Sequence, residues 1–172
     1  MAQAETVSPP VAEAKVETIA LRRAVDLLAK KDIKAAVFLL ERLVSDDESW
    51  AIARAYLGIA YLRATRVADA REQLEKAVAQ APDSFVCRSK YAEFLARLGF
   101  YDQAMVQLDH ALANSPPDND SRFAAMELRQ FCKDKSKGIF YRNAAYPNLS
   151  PRRLLRALTP RRQAGIALPG GN

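Results

Sequence analysis

Apolar residues recur along this chain three and four positions apart, the period of a helix and not of a strand, and the whole pattern then returns. In the middle of the chain Leu57 and Tyr61 share one helical face, and Ala70, Leu74 and Ala77 form a second stripe. The spacing predicts a helix from about Ser49 to Ala64 and another from Val67 to Gln80. The slots filled by Leu57, Gly58, Tyr61, Ala70, Leu74, Ala77 and Pro82 reappear further on, in the same order and at the same spacing, as Tyr91, Ala92, Leu95, Ala104, Leu108, Ala111 and Pro116. A fainter copy precedes them by the same shift, as Arg23, Ala24, Leu27, Ala36, Leu40, Leu43 and Glu48. A fixed period of this length marks stacked helical units, each too small to bury its apolar side alone.

The small residues carry much of the argument. Ala24, Gly58 and Ala92 share one slot, and Ala36, Ala70 and Ala104 share another. Small side chains at both let paired helices approach to the short end of the usual separation of about 8–10 Å. Pro82 and Pro116 sit just past the second helices, where proline ends a helix at little cost. Ser49 and Ser84 are expected to cap the helices that follow them.

The run Leu57-Gly58-x-x-Tyr61, then Ala70-x-x-x-Leu74-x-x-Ala77, then Pro82, resembles the signature of the tetratricopeptide repeat (TPR) family, whose period is also the one found here. The third copy departs from it by exchanging the family's Leu and Tyr for Tyr91 and Leu95. The first keeps the small slots with Leu27, Leu40 and Leu43, but places Arg23 at an apolar position. The resemblance spans about Glu17 to Asp118. It implies an all-α fold, a right-handed TPR solenoid of three helix-turn-helix repeats with a seventh capping helix and an irregular basic C-terminal arm. It also implies that the first helices line a concave groove for a partner protein or peptide. By analogy the groove positions are Thr18, Leu21, Arg22, Val25 and Leu28, then Ile52, Ala55, Tyr56, Ile59 and Leu62, then Val86, Ser89, Lys90, Glu93 and Arg97. The first two sets are mostly apolar and the third is charged. Relatives that grip a C-terminal carboxylate use a Lys-x-x-x-Asn pair. The matching pairs here are Leu21 with Val25, Ala55 with Ile59, and Ser89 with Glu93, which argues against a chaperone-tail adaptor. Apolar anchors on an extended or helical peptide suit the groove better, unless the chain's own Phe140, Tyr141 and Tyr146 fill it.

The organisation expected is a disordered lead over 1–14 and a repeat domain over 15–135. That domain divides into repeats at about 17–50, 51–84 and 85–118 and a capping helix at about 121–135. On the capping helix Phe123, Ala124, Met126, Leu128, Phe131 and Cys132 form one broad apolar face, expected to cover the last repeat. Residues 136–172 are expected to form a basic extended arm with a short amphipathic helix at about 151–158.

Charge sharpens this division. The chain carries a formal net charge of +6, yet residues 132–172 hold 9 Lys/Arg against Asp134 alone, while residues 1–131 hold 17 against 19 acids. The arm, with Arg142, Arg152, Arg153, Arg156, Arg161 and Arg162, is therefore expected to meet an acidic protein or an anionic membrane. Nucleic acid is a weaker option, resting on Ser150-Pro-Arg-Arg and Thr159-Pro-Arg-Arg, which helix starts explain equally well.

Candidate chemistry is sparse. His110 is the one histidine, and Cys87 and Cys132 lie far apart, so no metal site, cofactor site or disulfide framework is expected. Cys87 reads as packing and His110 as surface. No apolar run approaches the length of a membrane span, and the first residues lack the pattern of a secretory signal. The expected location is therefore cytoplasmic, with a membrane surface or a larger complex left open. The functional expectation is a non-enzymatic adaptor. Its rivals are a secretion-type chaperone, a subunit of a larger assembly, and a nucleic-acid-associated factor.

Overall fold

The computed structural model of the protein describes residues 11–114 and 118–137, with side chains from residue 18 onward. The described residues form seven helices: α1 (Val11–Ala29), α2 (Ile33–Asp46), α3 (Ala51–Arg63), α4 (Val67–Gln80), α5 (Phe85–Arg97), α6 (Tyr101–Ala113) and α7 (Asn119–Ser136). Helix α1 begins at Val11, inside the stretch read as an unstructured lead. The arm expected over 136–172, with its short helix, lies outside the described residues beyond Lys137.

Each hairpin closes in the same way. Lys31, Thr65 and Gly99 follow one another one repeat apart, and all three have left-handed backbones, with φ of 64°, 63° and 86°. The left-handed residue turns the chain so that the next N–H reaches back over the helix end. Asp32 donates to the Leu27 carbonyl at 3.0 Å, Arg66 to Tyr61 at 2.9 Å and Phe100 to Leu95 at 2.9 Å. Only the third turn uses glycine, the residue without a Cβ penalty there. Thr65 is β-branched, the least suited of the three.

The starts of the helices are less uniform. Ser84 caps α5, its Oγ accepting from the Cys87 N–H at 3.3 Å, and Asp32 and Asp118 cap α2 and α7. Ser49 does not cap α3. Its N–H and hydroxyl both donate to Asp47 Oδ1, at 2.8 and 2.6 Å, so the preceding turn consumes its polar groups. Trp50 takes the cap position without a side-chain bond.

The hairpins pile up in chain order. Helices α1, α3, α5 and α7 touch one another in a row, whereas α2, α4 and α6 each touch only first helices. The row in mutual contact is the shorter one, which places the first helices on the inner, concave side. Alanine and glycine permit the closeness: Ala24, Ala36, Ala53, Ala55, Ala60, Ala70, Ala92 and Ala104 are wholly buried. Gly58 has no spare room, since a Cβ there would lie 2.5 Å from Leu74 Cγ and 3.1 Å from the Ala70 carbonyl.

A repeated arginine braces two of the hairpins. Arg54 donates to Gln73 on α4 at 2.9 Å and to the Glu48 carbonyl at 2.8 Å, and Arg88 donates to Gln107 on α6 at 2.8 Å and to the Pro82 carbonyl. Every member of the second set stands one full repeat after its counterpart.

Helix α7 lies on α6 through Ser121, Ala124, Ala125, Leu128 and Cys132, with the Phe131 ring edge-on to Tyr101 at 6.2 Å. Its expected broad apolar face is divided. Phe123 and Met126 remain 58% and 52% exposed, because α7 rests mainly on α6, with a lesser contact to α5, and its other sides are uncovered among the described residues.

Candidate functional site

The positions assigned to a concave groove do fall on α1, α3 and α5, but most of their apolar side chains are not bare. Leu21, Val25, Leu28, Ala55, Tyr56 and Ile59 are buried. Close approach of helices rich in alanine folds these residues into the core instead of leaving them as an apolar strip. Ile52, Leu62 and Val86 keep partial exposure, as does Arg22, while Thr18 and Arg97 are exposed.

The third repeat contributes something different. Glu93 is 1% exposed, and its carboxylate is gripped from two sides of its own helix. Lys90 Nζ lies 3.1 Å from Oε2 and an Arg97 guanidinium nitrogen 3.1 Å from Oε1. Lys90 itself is buried, with Nζ 5.3 Å from the centre of the Tyr56 ring on α3. Burial alone would push the Glu93 carboxyl up. Lys90, then Arg97, the hydrogen bond from Lys90, and finally Arg63 outweigh it and hold the group below the usual carboxylate range. The same burial, followed by the charge of Glu93 and then Cys87, drives the Tyr56 phenol far above its ordinary value, so Tyr56 stays a neutral hydroxyl.

Arg63 joins the centre from α3. It donates to the Leu28 carbonyl at 2.8 Å, fixing the end of α3 against the end of α1. Burial lowers its pKa, and Glu93 partly restores it. Three cations thus surround one carboxylate. Ser89, one turn before Glu93, adds an occluded hydroxyl with no hydrogen-bond partner among the described residues. Lys90 and Glu93 are closed off from solvent, and Arg97 is the exposed member of the arrangement.

Ser89, Lys90, Glu93 and Arg97 therefore come together, with Tyr56 beneath them. The sequence reading misses Arg63, although the repeat register that carries Arg63 onto Arg97 offers a signal. The basic-arm residues Arg142, Arg152, Arg153, Arg156, Arg161 and Arg162 lie outside the described residues. His110 is exposed. Cys87 and Cys132 are buried free thiols, the second pushed up to about 11 by burial. Among the described residues no group of histidine, cysteine and acid side chains could hold a metal, and no helix is long and apolar enough to cross a membrane.

Comparison with known proteins agrees with this architecture. Residues 29–111 match the family described as anaphase-promoting complex, cyclosome, subunit 3. Among solved structures the chain is similar to PilW, described as a widely conserved type IV pilus biogenesis factor, with a TM-score of 0.63 and 23% identity over 83% of this chain and 61% of that one. The chain thus spans about three-fifths of the PilW chain. A mutant of MamA aligns at a TM-score of 0.48 and 19% identity, over 81% of this chain and 74% of that chain. No curated protein matches. The repeat register, the two-layered stack of hairpins, the family match and the likeness to PilW converge: the chain has the all-α tetratricopeptide-repeat fold.

Proposed function

We propose that the protein is a non-enzymatic adaptor. It would hold a partner segment across the α1, α3 and α5 face and use its basic C-terminal segment to dock on an acidic protein or an anionic membrane. The tetratricopeptide fold supports the general reading of a protein-interaction scaffold. The observation that carries the finer one is the charged centre at Lys90, Glu93 and Arg97. Arg97 is the exposed member of that centre, so it is the group through which the centre would meet an acidic or polar group of a partner. The partially exposed Ile52, Leu62 and Val86 supply apolar contact beside it. Type IV pilus biogenesis, with which the described PilW is associated, is one setting in which an adaptor of this shape would serve.

Affinity capture with the full chain tests the inner face. Ile52→Glu and Arg97→Gln alter partly or fully exposed side chains, and urea midpoints are read beside capture because Ile52 packs on the core and Arg97 pairs with the buried Glu93. Each should reduce capture of the groove partner about tenfold or more without loss of helicity. Unchanged capture by both variants would refute the groove reading. Flotation with phosphatidylserine vesicles tests the arm. Replacing Arg152, Arg153 and Arg156 with glutamine should weaken binding by about 1 kcal/mol per residue at low salt, and equal flotation would remove the membrane from consideration.

A further inference from the structure

Helix α7 keeps the spacing of the first helices. Asn119 stands one repeat after Phe85, and Ser121, Ala124 and Leu128 are buried at the slots of Cys87, Lys90 and Phe94. The opposite side is incomplete. In repeat two, the side bearing Arg54, Gly58 and Tyr61 is roofed by α4, with Leu74 over Gly58 and Gln73 bonded to Arg54. On α7 the equivalent residues, two repeats further on, are Arg122, Met126 and Arg129. They line an open cleft of about 390 Å³ together with Asp109, Leu112 and Gln130. Among the described residues no second helix follows, and α7 runs on to Ser136, past the point equivalent to the ends of α3 and α5. The residue one repeat after Gln107 is Tyr141, so the chain offers no glutamine for Arg122.

We propose that this cleft docks an acidic amphipathic helix from a partner protein, which takes the place that α4 and α6 hold in the earlier repeats and completes a fourth repeat. Charge selects the partner. Arg129 already engages Asp109, leaving Arg122 and the exposed Lys133 as surplus positive charge along the rim. A carboxylate or glutamine one face-width away would reproduce the Arg54–Gln73 brace. The chain's own 151–158 segment brings Arg152, Arg153 and Arg156 and would repel that rim. Size selects the contact residue. Met126 fills the space that Gly58 and Ala92 leave open, so the incoming helix presents a small side chain where α4 presents Leu74. This surface is separate from the inner face.

The probe is a blocked 13-residue peptide with the sequence of α6, which carries Asp102 and Asp109 and no lysine or arginine. It includes Gln107→Glu and comes in two forms, one with Leu108 kept and one with Leu108→Ala. Titrated into the full chain, the alanine form should bind about tenfold tighter than the leucine form. Met126→Gly in the protein should reverse that preference, and Arg122→Glu should weaken both forms about tenfold. Ile52→Glu, on the inner face, should change neither, so failure of the adaptor reading leaves this result standing. The proposal is overturned if neither form binds, or if the preference ignores Met126→Gly. It is also overturned if Leu155→Glu in the full chain raises peptide affinity about tenfold, which would identify the chain's own arm as the occupant. Met126 and Arg122 are exposed, so both substitutions leave the fold in place.

Discussion

Repeats two and three are the same scaffold with different interiors. Both have an arginine brace, a left-handed hairpin turn and a small residue where the two helices cross. At the slots facing the inner row, repeat two carries Tyr56 and Ile59, and repeat three carries Lys90 and Glu93, all four buried. The backbone geometry of the stack therefore does not require an apolar interior at these slots. It requires that whatever is buried there be satisfied. Tyr56 and Ile59 meet that condition by packing, and Lys90 and Glu93 by pairing with each other, with Arg97 and with the Tyr56 ring. The difference teaches where a repeat protein can change its chemistry without changing its fold.

The largest effect should come from breaking the charged centre. Glu93→Ala leaves Lys90 buried without its carboxylate, and the unfolding free energy should fall by about 3–5 kcal/mol, read from urea midpoints. Copying repeat two into repeat three, with Lys90→Tyr and Glu93→Ile together, should recover that loss and end neutral or more stable by about 1–4 kcal/mol. If the double variant is as unstable as Glu93→Ala, the two interiors are not interchangeable. Acid probes the same centre. Because the Glu93 carboxyl is held below its ordinary 4.5, its contribution is fully present above that value and is lost as pH falls through the depressed one. Urea midpoints followed downward from neutral pH should drop in the natural protein, and this component should vanish in Glu93→Gln.

The helix crossing gives the next effect. Gly58→Ala pushes a methyl against Leu74 and the Ala70 carbonyl and should cost about 1–3 kcal/mol. The mirrored change, Ala92→Gly, should cost only about 1 kcal/mol, through helix propensity. Equal costs would show that the Gly58 crossing is no tighter than the one at Ala92. The smallest effect belongs to the turns. Thr65→Gly should relieve left-handed strain and stabilise by about 1 kcal/mol or less, while Gly99→Thr should destabilise by about 1–2 kcal/mol. Thermal midpoints on the two single variants decide it.

Much of the architecture is legible because a repeat announces itself. The Leu57-Gly58-Tyr61 and Ala70-Leu74-Ala77 slots require two crossing helices whatever surrounds them, and α4 spans Val67–Gln80 as the periodicity predicts. Local competition is harder to read. Ser49 has the composition of a cap and the right position, yet Asp47, two residues before it, captures both its donors. The face of α7 is misjudged for a related reason. Periodicity shows that Phe123 and Met126 are apolar, but not that the neighbours of the helix, α6 and to a lesser extent α5, leave both uncovered.

The residues of this chain, by spacing alone, determined paired helices, their order and the small contacts that let them close. They did so because helical period and side-chain volume are local properties. Which inner-row side chains become core and which stay accessible was decided by the approach of α1, α3 and α5. That approach buries Ile59 and Glu93 alike and obliges Glu93 to find Lys90 and Arg97, because a charge removed from water must be paired. The exposure of Met126 was likewise settled only in three dimensions, where α7 continues to Ser136 and, among the described residues, no helix turns back over it.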